Sequence, residues 1–312
     1  MKTIRNILIC GAGLMGKNIA LVFASQKDLA ITLYDINDTE VHSAIRNNCR
    51  QLVERRLITA FDLEERLSRI SFTQDLDCEA IADADFVIEA VYEDMALKQQ
   101  TFASLEARCR TDAIFCTNSS VMSPSEISAK LSHRSRFAGT HFWNPGHLIP
   151  LVEVIKSDAT SNETASTIMD ILRAVGKKPV LCRKDVPGFI ANRMQHALWR
   201  EAIYIVEQGI ADAETVDEAV RYSFGLRLPR LAPMENADMV GLDLTYNIHE
   251  YIFKNLCNDT EPSKLLVKLR SEGKLGFKSG EGFMNWSEEE KQKSSEGLNR
   301  YLVNMLANKD IF

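Results

Sequence analysis

The sequence has no excess of positive charge, no paired cysteines, no low-complexity stretch and no long apolar run. Its 37 Lys and Arg against 43 Asp and Glu give a net charge of −6, which argues against nucleic acid as the main partner. The seven cysteines are odd in number, scattered and free of CxxC spacing. That excludes a disulfide framework or a zinc site and predicts reduced thiols in a cytoplasmic compartment, with no bound metal. Lys2 and Arg5 precede an apolar run as in a secretory leader, but the run is short and flows straight into a glycine motif. No targeting or membrane segment is expected. With those classes set aside, 312 residues of which 45% are hydrophobic suffice for two domains with sizeable cores.

What is present begins at Ile4–Ile9, an apolar run that leads into Cys10-Gly11-Ala12-Gly13-Leu14-Met15-Gly16 and then a helix-patterned segment. Strand, tight glycine turn and helix together form a dinucleotide cradle. Gly11 allows the turn, Gly13 lets a pyrophosphate approach the backbone, and Gly16 permits close packing of the helix on the sheet. The N–H groups around Leu14 and Met15, at the positive end of the helix dipole, supply the anion site. The next apolar run, Leu29–Tyr34, ends in Asp35, nineteen residues beyond Gly16, where a carboxylate would meet a ribose diol. Ile36 follows, and no Arg or Lys stands nearby until Arg46. The expected cofactor is therefore NAD and not NADP.

Residues 39–57 and 60–70 carry a helical pattern with Arg46, Arg50, Arg55, Arg56, Arg66 and Arg69 along it. Such a face is either simply solvated or a landing surface for an anionic ligand arm. Strand and helix then alternate, with strands at 85–91 and 113–117 around a helix at 95–109, which implies a parallel sheet with crossover helices. The carboxyl ends of those strands point to Glu93 and to the turn Asn118-Ser119-Ser120, although Asn and Ser also serve as plain turn formers. In the stretch GTHFWNPGHLIPLVEVI, His141 and Glu153 flank the turn-forming Asn144-Pro145-Gly146. Two strands folded together there would join an imidazole to a carboxylate, which orients the ring and makes a general base near neutral pH.

A helix at 162–175 stopped by Gly176 and a strand at 178–182 complete this half. Asp185–Arg193 reads as the start of a long helix with Pro187 in its first turn, continuing to Gly209 on the spacing Ile190, Met194, Ala197, Leu198, Ile205. Asn192 would lie one turn inside it, in reach of an interdomain cleft. Beyond it no strand is evident, and helical patterns begin near Asp212, Glu235 and Ser263. The expected architecture is an α/β domain over 1–185 followed by an all-helical domain over 186–312.

These motifs together resemble the 3-hydroxyacyl-CoA dehydrogenase family, including the 3-hydroxybutyryl-CoA dehydrogenases, over essentially the whole chain. The matching segments are GAGLMG, EAVYED with Lys98, TNSS, RFAGTHFWNP, PLVEVI, DVPGFIANR, ENADMVGLD and GFKSGEGF. The resemblance implies His141 as the catalytic base, Glu153 as its orienting partner, and Ser120 and Asn192 as the groups that hold the substrate's reacting oxygen. It implies that Gly11, Gly13, Gly16, Asp35, Glu93, Lys98, Asn118 and Asn144 contact or line the NAD site. It also implies a Rossmann-type, doubly wound first domain, a helical second domain for substrate and dimerisation, and a homodimer. The implied reaction is reversible oxidation of a (3S)-3-hydroxyacyl-CoA to the 3-oxoacyl-CoA, as in fatty acid metabolism. Arg50, Arg55 and Arg56 stand where CoA-binding members commonly present lysines. The usual Phe-Phe-Asn-Pro reads Phe142-Trp143-Asn144-Pro145, the usual Gly-Pro-Phe-Glu-Leu reads Ala232-Pro233-Met234-Glu235-Asn236, and His147 is an added polar group. These departures keep open a dehydrogenase of a free hydroxy compound resembling those for carnitine, gulonate or a pyridine carboxylate. More remotely, because relatives of the family occur as lens crystallins, the resemblance leaves a non-catalytic, crystallin-like NAD-binding protein.

Overall fold

The computed structural model of the protein describes residues 3–54 and 56–308, so Arg55 lies outside the described residues. The chain divides into two compact units, Met1–Ala191 and Asn192–Phe312.

The first unit holds one eight-stranded sheet: β1 (Asn6–Cys10), β2 (Ala30–Tyr34), β3 (Ile70–Thr73), β4 (Phe86–Glu89), β5 (Ile114–Thr117), β6 (Phe137–Phe142), β7 (Leu151–Lys156) and β8 (Lys178–Cys182). Their spatial order is 3-2-1-4-5-6-7-8. Every neighbouring pair is parallel except β6 and β7. Helices on both faces leave the central strands no solvent, so they read as continuous apolar runs: Leu8, Ile9, Phe86, Val87, Ile88, Phe115 and Cys116 are all buried. Strand order reverses between β1 and β4, and that reversal opens a ligand crevice at the carboxyl ends of these strands.

Two sequence expectations are corrected here. The helix expected to reach residue 70 ends at Leu67, and Ile70 opens β3, tied to β2 by the Ile31 amide donating to the Arg69 carbonyl at 3.0 Å. Buried Leu63, Leu67 and Ile70 keep helical spacing across the break, which concealed the strand. The helix expected from Asp185 begins only at Ala191. Gly188 and Phe189 adopt left-handed φ values of 76° and 49°, which no helix interior accommodates. Asn192 is thus the second residue of that helix, not one turn inside it.

The second unit consists of helices, chiefly Ala213–Arg221, Pro233–Val240, Leu242–Ile252, Lys264–Ser271 and Glu288–Ala307, together with the run from Asn192 to Glu207. Among its described residues the only extended pairing is the isolated bridges Gly276–Glu281 and Glu281–Asn285. The last helix was not among those expected. Its signal is a capping box in which the Ser287 and Glu290 side chains each bond the other's backbone N–H, a start marker visible in Ser-x-x-Glu. No helix among the described residues is long and apolar enough to cross a membrane.

Candidate active site

Antiparallel pairing of β6 with β7 sets His141 directly opposite Glu153. Side chains on directly opposed residues share one face of the sheet, and His141 Nδ1 lies 2.8 Å from Glu153 Oε2. Both are buried, at 4% and 0% exposure. Glu153 also accepts from Trp143 Nε1 at 3.2 Å, from the Ile190 amide at 2.9 Å and from the Ala191 amide at 3.0 Å. The left-handed turn at Gly188–Phe189 is what brings those two amides round to the carboxylate. Burial alone would raise the Glu153 carboxyl, but donation by His141, Ala191, Ile190 and Trp143 outweighs it and holds the group below its ordinary value. Glu153 is therefore an anion that takes the Nδ1 proton of His141 and leaves Nε2 as the ring's free lone pair. The rings of Trp143 and Phe189, with centroids 5.5 Å and 5.8 Å away, wall the imidazole.

A second polar assembly lies at the ends of β4 and β5. Buried Glu89 accepts from Lys98 Nζ at 2.6 Å, the Val91 amide at 2.7 Å and Thr117 Oγ1 at 2.8 Å. Burial raises its carboxyl against the pull of Lys98. Lys98, 1% exposed, also lies 3.3 Å from Glu93 Oε2. Glu93 in turn accepts from Ser119 Oγ at 3.0 Å and the Ser120 amide at 2.9 Å. Asn118 Oδ1 accepts from the Phe142 amide at 3.0 Å, one residue past His141. Glu93, Lys98, Asn118, Ser120 and the end of β6 thus belong to one hydrogen-bonded assembly.

A cavity of about 630 Å³ opens beside the glycine turn, lined by Gly11, Gly13, Leu14, Met15 and Asp35 among others. At Gly11, φ is +106° and a Cβ would stand 2.6 Å from the Ala90 carbonyl oxygen; at Gly16 it would stand 1.8 Å from the Gly11 oxygen. No side chain fits at either position, while Gly13 meets nothing within 4 Å and leaves the approach to the backbone open. Asp35 holds the rim, accepting from the Ala12 amide at 2.8 Å and the Asn37 amide at 3.0 Å. A bare-backbone turn at a helix start, with a carboxylate at the end of the second strand, fits a dinucleotide. Glu93, Lys98, Asn118 and Asn144 do not line this cavity. Residues the sequence reading missed do: Leu97, Gln100, Thr101 and Ser104, whose three- and four-residue spacing marks one face of the helix Met95–Glu106. Cys10 also lines it, and burial, with the charges of Glu89 and Asp35, pushes its thiol up, so it stays protonated and unreactive.

The remaining predicted residues lie elsewhere. Arg50 pairs with Glu54 at 2.9 Å and its neighbour Arg46 with Glu64 at 2.7 Å; neither Arg50 nor Arg56 lines the cavity. Asn144 is exposed, and Asn192 belongs to the second unit. Lys177 donates to the Gly146 and Ile149 carbonyls at 2.6 and 2.8 Å, stapling the loop after β6. Burial lowers its ammonium to about 8. Burial, followed by the Lys177 charge, lowers His147 to about 4. The added polar group is thus a neutral imidazole at pH 7.

The model of the 3-hydroxyacyl-CoA dehydrogenase NAD binding domain matches residues 6–186, and that of the same family's C-terminal domain matches 188–286. This chain belongs to the 3-hydroxyacyl-CoA dehydrogenase family. Like its relatives, it is an NAD-dependent oxidoreductase acting on CH–OH groups. It is 32% identical over 303 residues, 96% of each chain, to 5-formyl-3-hydroxy-2-methylpyridine 4-carboxylate 5-dehydrogenase of Mesorhizobium japonicum. A crystal structure of an enzyme of that name, described as an NAD+ dependent dismutase, superposes with a TM-score of 0.88 at 31% identity, covering 97% of both chains. The crystal structure of (S)-3-hydroxybutyryl-CoA dehydrogenase from Ralstonia eutropha superposes with a TM-score of 0.76 at 30% identity, covering 92% of this chain and all of the other.

Proposed function

We propose that this family member reversibly oxidises the hydroxyl carbon of a (3S)-3-hydroxyacyl-CoA, with His141 as the general base. The observation that supports this most is the buried His141–Glu153 contact, which leaves Nε2 as the one basic position of the ring. NAD, when bound, accepts the hydride but not the hydroxyl proton, so the protein must supply a base. His141 Nε2 takes that proton, and Glu153 stabilises the imidazolium that results. In the reverse direction the imidazolium returns the proton to the carbonyl oxygen. Ser120, whose backbone is held by Glu93, is assigned a hydrogen bond to the reacting oxygen, and by family resemblance Asn192 is assigned the same oxygen. Such bonds stabilise charge that develops there.

For the cofactor, the amides around Leu14 and Met15 take the pyrophosphate and Asp35 the ribose. Glu93, Lys98, Asn118 and Asn144 are assigned to the rest of the NAD site on the family pattern, and Arg50, Arg55 and Arg56 to the CoA phosphates. A homodimer formed through the helical unit completes the proposal.

A second reading replaces the CoA ester with a free hydroxy acid or alcohol of the carnitine, gulonate or pyridine-carboxylate type. It is favoured by the fuller superposition on the pyridine-carboxylate dehydrogenase, 0.88 against 0.76. It is favoured also by the arginine face, where Glu54 and Glu64 already occupy Arg50 and Arg46. NADH consumption with acetoacetyl-CoA, free acetoacetate and a panel of pyridine carbaldehydes bearing a carboxylate separates the two. Selective turnover of acetoacetyl-CoA is the expected result. Turnover of free acids alone would retain the His141 chemistry and reassign the substrate, and NAD binding with no turnover of any hydroxy or keto compound would overturn both readings.

A further inference from the structure

We propose that Trp143 is a positioning residue that sets the proton affinity of the His141–Glu153 pair, a role that rests on His141 acting as the base. Trp143 is the first residue beyond β6. Its indole Nε1 donates at 3.2 Å to Glu153 Oε2, the same oxygen that lies 2.8 Å from His141 Nδ1. The other oxygen, Oε1, is taken by the amides of Ile190 and Ala191. Four donors therefore share one carboxylate, and two of them, the imidazole and the indole, share one of its oxygens.

That sharing has a direction. A hydrogen bond to an anion stabilises the anion, so the indole makes Glu153 a weaker acceptor for the imidazolium. The imidazolium is therefore held less firmly than it would be with Oε2 to itself. The indole N–H is a donor only and does not ionise, so its pull is present at every working pH. The neighbouring titratable groups are the same with and without the indole N–H, so they do not set the direction of its effect. Glu153 is the carboxylate in contact with the ring. On β8, Cys182 donates its thiol to the Lys184 carbonyl at 3.1 Å, and burial raises that thiol, keeping it neutral. Asp185 is held by Ser123 Oγ and the Ser125 amide. The apolar ring of Phe189 packs against the imidazole, with centroids 5.8 Å apart.

The test is Trp143→Phe in the full chain, which keeps an aromatic wall and removes the N–H. An NMR titration of the His141 ring, without substrate, is expected to move up by about half a pH unit relative to the parent protein. The acid limb of kcat/KM for NAD reduction with (S)-3-hydroxybutyryl-CoA is expected to move the same way, with the KM for NAD unchanged. Should Trp143→Phe fold poorly, a benzothienylalanine at position 143 replaces N–H by sulfur in the same bicyclic shape and is expected to give the same shift. An unmoved His141 titration in a folded variant overturns the role of Trp143. His141→Gln separates this from the underlying reading, because undiminished NAD reduction in that variant overturns the base itself.

Discussion

The two compact units of the chain differ most in what each covers. The first buries its own core, with Phe23, Phe86, Phe102 and Phe137 at 0% exposure, and even closes Glu89, Lys98 and Glu153 away from water. In the second, Cys257 and Val303 are the only buried apolar residues among those described, while Leu226, Met234 and Tyr251 stand 74%, 76% and 81% exposed. Isolated helices draw most of their stability from burying an apolar face, and a single chain of this unit leaves such faces open. Patches of this kind mark interaction surfaces, which supports the proposal that a second copy covers them. A self-contained sheet can hold the cofactor and the base on rigid strands, whereas the helical unit leaves large apolar side chains exposed.

The sharpest attack on the self-contained unit is Lys98→Met. It removes the partner of buried Glu89 and leaves an uncompensated carboxylate, which is expected to cost about 3–5 kcal/mol in denaturant unfolding of the first unit. An unchanged midpoint would mean that Glu89 is protonated and that the pair is not an ion pair at all. A slightly smaller effect is expected from acid. His147, ordinarily near 6.5, is held to about 4 in the folded state, so between those values the unfolded chain binds a proton that the folded chain refuses. Its contribution is present above about pH 6.5 and is lost as pH falls to about 4, on the order of 3 kcal/mol. His147→Gln is expected to flatten that part of the stability curve, and an identical slope would assign the loss to other groups.

The smallest effect belongs to the second unit. Leu226→Glu or Met234→Glu is expected to leave the fold of the first unit and its NAD affinity intact. Each should weaken self-association by about tenfold or more, the scale of one large apolar side chain removed from an interface, as read by sedimentation. Unaltered self-association would place the dimer surface elsewhere.

Legibility in the sequence follows the same division. Strands closed on both faces read as unbroken apolar runs, so β1, β2, β4 and β5 were visible; the edge strand β8, with Val180 and Leu181 each 37% exposed, still matches the expected Lys178–Cys182 residue for residue. The His141–Glu153 pairing was visible because a short turn region between two strands constrains their register. The strand β3 was hidden by Leu63, Leu67 and Ile70 at helical spacing. The late helix start at Ala191 depends on a left-handed Phe189 that no propensity would suggest. Its purpose appears only in three dimensions, where the Ile190 and Ala191 amides close on Glu153. Lys98 and His147 were both singled out in the sequence, but their burial was not visible there, since it depends on how the chain packs in three dimensions.

The most direct measurement is turnover and NAD affinity of His141→Ala beside the parent protein, with whichever substrate the panel identifies. The predicted result is a fall in kcat of about a thousandfold with the NAD dissociation constant nearly unchanged. A variant that turns over at the parent rate, or that loses NAD binding and turnover together, would contradict the assignment of His141 as the base.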